Sequence, residues 1–351
     1  MKSIRVIGFG AMNLDELYRV QSVLADDETT IKEHKSTPGG SAANTIYGLA
    51  KLGINTGFAG AIGSDEEGKF LTEDFRNVGT DVSQIKIKDS AQTGSVLGLT
   101  DSHGKRALYV GPGANSLLKR EDISLDYMAQ AELIHLSSFA DDEQFELQKW
   151  IVTNLPQSVK VSFTPGAIYT RKRLSALAPI LAKTRILFTN ESEIKELAKT
   201  KFFEAGAQRF LDKGCQMVIV TLGKGTLQKI NTSQLTFEFV NYPKILSTYG
   251  TSDYMASENE TELRFGSYVA DANNKYIIES KPGHREDTTG AGDAFATGFL
   301  YGLLNRKGLE ECGFLGDTVA QFSIAKMGAR QGLPTLTELT QRYQELYSRQ
   351  L

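Results

Sequence analysis

The sequence predicts an α/β protein, with a mostly parallel central sheet covered by helices on both faces. Short apolar, β-rich runs recur at residues 4–8, 57–62, 133–136, 159–163, 186–189 and 217–221. Helical patterns separate the later runs, at residues 145–152, 173–181, 191–199 and 202–213. A 40% hydrophobic share beside 23% charged residues, over 351 residues, supplies the core such a sheet needs. Strands alternating with helices pair in parallel, and ligands of such sheets gather beyond the carboxyl ends of the strands.

Taken in order, the first run leads into Gly8-Phe9-Gly10-Ala11-Met12-Asn13-Leu14-Asp15. The third glycine of a dinucleotide-binding turn is missing, and Asn13 stands in its place, so that reading is rejected. Asn13 and Asp15, as a polar pair at a strand's carboxyl end, suit the gripping of vicinal hydroxyls. Two segments then break the rhythm, at residues 16–37 and 94–110, the second carrying the turn Asp101-Ser102-His103-Gly104. Either they form a small antiparallel sheet apart from the main one, a lid, or they remain surface hairpins. Between them, Pro38-Gly39-Gly40-Ser41-Ala42-Ala43-Asn44 opens a helix that ends at Gly53. Gly39 and Gly40 allow close approach of a ligand, and Asn44 offers donor and acceptor to a hydroxyl-rich molecule.

Farther on, Asn190-Glu191-Ser192-Glu193 puts carboxylates at a helix start, where they either order magnesium-bound water or cap the helix. Thr221-Leu222-Gly223-Lys224-Gly225-Thr226 follows an apolar strand and aims backbone N–H groups at a nucleotide's phosphates, without the spacing of a Walker A loop. Residues 236–282 read as an elaborated β excursion, with strands at 235–240, 263–270 and 276–280. The strongest signal comes next, Asp287-Thr288-Thr289-Gly290-Ala291-Gly292-Asp293, followed by a helical pattern through Leu304. Gly290 and Gly292 free the backbone to turn N–H groups to one point, and the helix adds its positive end there. An anion hole results, with the Asp293 carboxylate beside it. Ala294, Gly298 and Gly302 form a small face on that helix for close packing, and Phe295, Phe299 and Leu303 a large one for the core.

Composition narrows the partners. A net charge of −3 and the lack of a dense Lys/Arg run argue against nucleic acid. Cys215 and Cys312 read as buried thiols, and His34, His103, His135 and His284 show no metal-ligand spacing, so neither zinc nor a Ser-His-Asp site is expected. The first residues lead straight into a strand pattern and no run approaches transmembrane length, so a cytoplasmic protein with no membrane partner is expected.

These motifs, in this order from Gly8 to about Pro334, resemble the ribokinase or PfkB family of carbohydrate kinases. The resemblance implies a three-layer αβα ribokinase-like fold in a single domain spanning residues 1–351, with a small antiparallel β lid and an insertion at about 236–282. It implies an ATP-dependent phosphotransferase acting on a hydroxyl of a small sugar or sugar-like metabolite. Asp293 would be the general base, with Gly290, Ala291 and Gly292 as the anion hole. Asn13, Asp15, Gly39, Gly40 and Asn44 would hold the acceptor. Asn190, Thr221, Gly223, Gly225, Ala325 and Gly328 would face the nucleotide, the last two in an adenine-side wall formed by Ala325-Lys326-Met327-Gly328-Ala329. Glu193 would serve Mg2+ through water, while Asp287 and Thr289 match positions that hold a monovalent cation such as K+ in many members. A homodimer paired through the lids is the assembly this implies. An adenosine-like nucleoside acceptor and a non-catalytic metabolite sensor are the alternatives. Two departures stand out: Thr164-Pro165-Gly166 replaces the Asp-Pro-Asn of many members, and Ser41 replaces the lysine of ribokinases, which speaks against ribose.

Overall fold

The structure is a computed structural model and describes residues 3–103, 105–231, 260–280 and 284–351. The chain begins with β1 (Val6–Phe9), then leaves the main body for β2 (Asn13–Val20) and β3 (Ile31–Gly39). It returns through α1 (Ser41–Lys51), β4 (Thr56–Ile62), α2 (Glu66–Asn77) and β5 (Asp81–Ile87). A second departure makes β6 (Gly94–Thr100) and β7 (Arg106–Gly111), followed by the short α3 (Leu125–Met128). Alternation follows: β8 (Leu133–Ser137), α4 (Asp142–Asn154), β9 (Lys160–Thr164), α5 (Gly166–Thr170), α6 (Leu174–Lys183), β10 (Thr184–Asn190), α7 (Glu191–Ala198) and α8 (Phe203–Asp212). The last strands are β11 (Met217–Asn231), β12 (Glu260–Asp271) and β13 (Lys275–Glu279), and helices α9 (Ala291–Leu304), α10 (Leu309–Ile324) and α11 (Leu336–Tyr347) close the fold.

The nine-stranded main sheet runs β13-β12-β11-β10-β9-β8-β1-β4-β5. Every pairing from β5 to β11 is parallel, while β11–β12 and β12–β13 are antiparallel. Parity explains the two cores. Ile7, Phe9, Leu187, Val218 and Val220 point to one face, under α4, α6, α7 and α8. Their neighbours Val6, Ile186, Phe188 and Ile219 point to the other, with Phe58 of β4, against α1, α9, α10 and α11. Strands buried on both faces read as unbroken apolar runs, which is why these were visible in the sequence. On α9 the small face is used as expected, with Gly298 and Gly302 lying against Leu315 and Cys312 of α10.

Three boundaries differ from the sequence reading. Asn13 and Asp15 do not end the first strand but open β2, where Asn13, Asp15 and Leu17 alternate as its buried positions. The strand expected to stop at Thr221 continues to Asn231, and the register against β12 slips between Thr221 and Thr226, so the glycine-rich segment is a bulge in a long strand. The strands expected at 263–270 and 276–280 are β12 and β13, which form the edge of the main sheet rather than an excursion from it, while the expected strand at 235–240 lies outside the described residues.

The two departures meet in a separate four-stranded sheet, β3-β2-β6-β7. Each departure pairs antiparallel within itself, and β2 joins β6 in parallel. This sheet is fastened to the body by Arg19 Nη2 donating to the Glu286 carbonyl at 3.1 Å, Lys35 Nζ to the Met327 carbonyl at 2.9 Å, and Gln331 Nε2 to Thr37 Oγ1 at 2.7 Å. Between the last residue of β3, Gly39, and the first of α1, Ser41, stands Gly40 alone, at φ 96. A Cβ there would overlap the Ala11 carbonyl oxygen, so glycine is required on both counts. Among the described residues no helix is long and apolar enough to cross a membrane.

Candidate functional site

The site forms where the second sheet, the start of α1 and the start of α9 converge. Gly290 precedes α9 in the left-handed region at φ 74, and a Cβ on it would lie 2.5 Å from the Ala329 Cβ. A Cβ on Gly292 would meet nothing within 4 Å. The space beside Gly292 in the first turn of α9 is open, with Asp293 in that same turn, while the Ala291 N–H donates to the Thr288 carbonyl at 3.3 Å.

Asp293 makes no side-chain cap for its own helix. Instead its carboxylate accepts from the neighbouring helix: Ser41 Oγ donates to Oδ1 at 2.6 Å and Asn44 Nδ2 to Oδ2 at 2.9 Å. Burial pushes its pKa up to about 6, against the lowering pull of those hydrogen bonds and of the Arg330 charge.

Arg330 carries this arrangement and had no sequence signal. It is 3% exposed. Its Nε donates to Asn44 Oδ1 at 2.9 Å, Nη1 to Asp74 Oδ2 at 2.6 Å and Nη2 to the Gly39 carbonyl at 3.1 Å. The guanidinium lies 5.1 Å from the ring centres of both Tyr47 and Phe75. Arg330 is the buried member of its ion pair with the part-exposed Asp74, so loss of Asp74 leaves a buried charge without its ionic partner.

Beside it, Asp15 is 8% exposed, and its Oδ1 has no hydrogen-bond partner among the described residues. A Cβ on Gly39 would overlap this carboxylate, which explains the first glycine of the pair. Burial raises the Asp15 pKa to about 7; Arg330 and Arg106 lower it, while Asp293 and Glu16 add to the rise. Asn13 is oriented by another residue that sequence reasoning missed, the buried Asn115. Asn115 Nδ2 donates to Asn13 Oδ1 at 3.0 Å, while its own Oδ1 accepts from the Met12 N–H at 2.9 Å. The oxygen end of the Asn13 amide is thus taken, leaving its N–H end as the donor.

The remaining residues lie around this centre. Asn190 and Glu193 form a reciprocal cap on α7: Asn190 Oδ1 accepts from the Glu193 N–H at 2.8 Å, and Glu193 Oε2 from the Asn190 N–H at 3.0 Å. The Glu193 pKa is raised, first by burial and also by the Asp293 charge, so the two carboxylates share one region. Thr221 pairs with Asn190 across β10 and β11, Gly223 sits in the bulge at φ 69 with open space around it, and Gly225 lies in the same bulge. Asp287 acts as a clasp. Its Oδ1 accepts from the Thr289 N–H and hydroxyl at 2.9 and 2.8 Å, and its Oδ2 from the Gly328 N–H at 2.9 Å. Gly328, at φ 95, packs toward Thr37 and Gln331, and Ala325 ends α10. Gly328 thus borders the second sheet's anchorage. The Asp287 carboxylate thus ties Thr289 to the Gly328 segment. Among the described residues no group of three or more His, Cys, Asp or Glu is placed to hold a metal ion.

Asp15→Asn is expected to stabilise the fold above about pH 7 and to do nothing below about pH 4. The carboxyl stays protonated to about pH 7 when folded but ionises near its ordinary 3.8 when unfolded. The unfolded state therefore releases the proton first, and stability falls as pH rises through that window. A gain of about 3 °C in Tm at high pH, vanishing at low pH, is the expected scanning result; equal Tm values at both would show that the Asp15 carboxyl is not strained by burial.

The family model described as pfkB family carbohydrate kinase matches residues 3–257 and 264–336. An uncharacterized sugar kinase of Archaeoglobus fulgidus is 33% identical over 290 residues, covering 82% of this chain and 98% of its own. An ATP-dependent ribose-1-phosphate kinase of Halopiger xanaduensis is 26% identical over 330 residues, covering 93% and 94%. The crystal structure of ribokinase from Thermotoga maritima superposes with a TM-score of 0.74 at 23% identity, covering 97% of this chain and 99% of that one, and so shares the fold. The chain belongs to the PfkB family of carbohydrate kinases, phosphotransferases with an alcohol group as acceptor.

Proposed function

We propose that this protein transfers the γ-phosphoryl group of ATP to a hydroxyl of a small sugar or sugar-like metabolite, with Asp293 as general base. The observation that carries the reading is the Asp293 carboxylate itself: it stands in the first turn of α9, facing donors from α1, beside open space over Gly292. Phosphoryl transfer asks for in-line placement, stabilisation of the γ-oxygens and a base for the incoming hydroxyl. Gly290, Ala291 and Gly292 supply the backbone donors, and Asn13, Asp15, Gly39, Gly40 and Asn44 grip the acceptor. Asp15, neutral below about pH 7, can donate as well as accept. Asn190, Thr221, Gly223, Gly225, Ala325 and Gly328 face the nucleotide in this reading. Glu193 uses one oxygen for the helix cap and keeps the other, which with Asn190 fits magnesium held through water. Bound there, the ion would neutralise charge on the phosphates.

The second sheet then serves as a lid over the acceptor, contributing Asp15 from below. Leu97, Leu108, Tyr109 and Val110 are exposed on its β6–β7 side, which supports pairing of two lids in a homodimer. Light scattering is expected to return a dimer mass; a monomer at working concentration ends that suggestion. A cytoplasmic location, where ATP is at hand, accompanies the proposal.

The decisive experiment is ADP release with a panel of sugars, sugar phosphates and nucleosides. Turnover with a sugar or sugar phosphate supports the proposal. Release with nucleosides alone would move the protein to a nucleoside kinase, and no release with any acceptor would point to a binding protein.

A further inference from the structure

An asparagine amide has one donor end and one acceptor end, so Asn44 supports ionised Asp293 in one orientation and opposes it in the other. Arg330 has donors only. By giving its Nε–H to Asn44 Oδ1, it turns Nδ2 toward Asp293 Oδ2. Arg330 is itself locked by Asp74, by the Gly39 carbonyl and by the two aromatic rings of Tyr47 and Phe75. Almost fully buried, the guanidinium is enclosed by the protein rather than presented to a ligand. We propose that Arg330, anchored by Asp74, is a positioning residue for phosphoryl transfer: it fixes the Asn44 amide so that Asp293 is held ionised and aimed at the acceptor hydroxyl. This rests on Asp293 being the base.

The electrostatic surroundings show why such a device is useful. From β2, Asp15 faces the same region, and from α7, Glu193; both are carboxylates in the field of Asp293. From α1 come the neutral Ser41 hydroxyl and Asn44 amide, and the phenol of Tyr47 lies against Arg330. Arg106 of β7 acts on Asp15, and Asp74 of α2 pairs with Arg330. Arg330 is thus the cation that opposes burial of Asp293, directly and through Asn44. The chain Asp74, Arg330, Asn44, Asp293 joins four parts of the fold that are remote in sequence.

The test compares wild type, Arg330→Lys and Asp293→Asn as full-length proteins, with the pH profile of kcat read by ADP release on an acceptor found in the panel. Lysine keeps the charge beside Asp74 but cannot fill the guanidinium's planar fork. The acid limb of Arg330→Lys is expected to move up by about one pH unit, so that kcat falls about 5-fold at about pH 6 and recovers toward about pH 8.5, with KM for ATP unchanged. A loss of the same factor at every pH in the folded variant would mark Arg330 as merely structural and overturn the proposal. Should Arg330→Lys fail to fold, Asp74→Asn, which frees the guanidinium from its anchor, carries the same expectation and the same overturning result. Turnover surviving in Asp293→Asn would sink the assignment of the base, and is read separately from either outcome at Arg330.

Discussion

Asp293→Asn is expected to lower kcat by about 1,000-fold while leaving nucleotide affinity within about twofold. Asparagine has nearly the same shape, so the first turn of α9 stays in place. What disappears is proton acceptance. The wild-type carboxylate presents an acceptor to each of its two donors, Ser41 Oγ and Asn44 Nδ2. An amide can present its oxygen to one of them and must turn its NH2 toward the other, and it cannot take up the acceptor's proton. ADP release and calorimetric nucleotide binding measure the two quantities, and turnover within about tenfold of wild type would remove Asp293 from the role of base. In the wild-type enzyme kcat/KM should fall below about pH 6, where this carboxyl protonates.

Gly290→Ala is expected to cost about 100-fold in kcat and to lower Tm, whereas Gly292→Ala should leave Tm nearly unchanged. The difference lies in the space each glycine occupies. At Gly290 the backbone is left-handed, which costs a residue with a Cβ about 1–2 kcal/mol, and the added carbon would sit 2.5 Å from Ala329 Cβ and 2.9 Å from its Cα. One of two backbone segments must shift. Since Asp293 follows three residues later, a small displacement of the turn carries the carboxylate away from the acceptor, and misplacement by about 1 Å is enough for the expected loss. At Gly292 a methyl meets nothing within 4 Å, so its effect would be confined to the ligand space. Thermal melts with ADP-release rates on both variants separate the cases. Equal Tm losses would mean that the Gly290 turn is not under the constraint described.

What the sequence disclosed, and what it withheld, divides along the range of the interactions. Strands β1, β8, β9 and β10 are buried on both faces, so each is mostly apolar, with His135 and Ser162 pairing where β8 and β9 are interrupted. Gly290 and Gly292 flag themselves by local backbone need. The segment after Thr221 misled because two glycines read as a turn, while the chain uses them in a bulge and keeps its pairing with β12. Asn13 and Asp15 were expected near the acceptor, but on the wrong element, because polar residues at alternate buried positions of β2 look like loop composition. Arg330, Asp74 and Asn115 left no local mark. Arg330 is 286 residues from Asn44, and Asn115 is 102 from Asn13, so their pairing exists only once the fold is made.

The single glycine joining β3 to α1 couples the two elements mechanically. The strand that flanks Asp15 and the helix that steadies Asp293 therefore move as one unit, with no slack to absorb a shift on either side. A substitution that tilts that strand would, on the proposed reading, disturb acceptor binding and the Asp293 base together. The outer strand β7 has no such direct link to α1 and meets β2 only through β6.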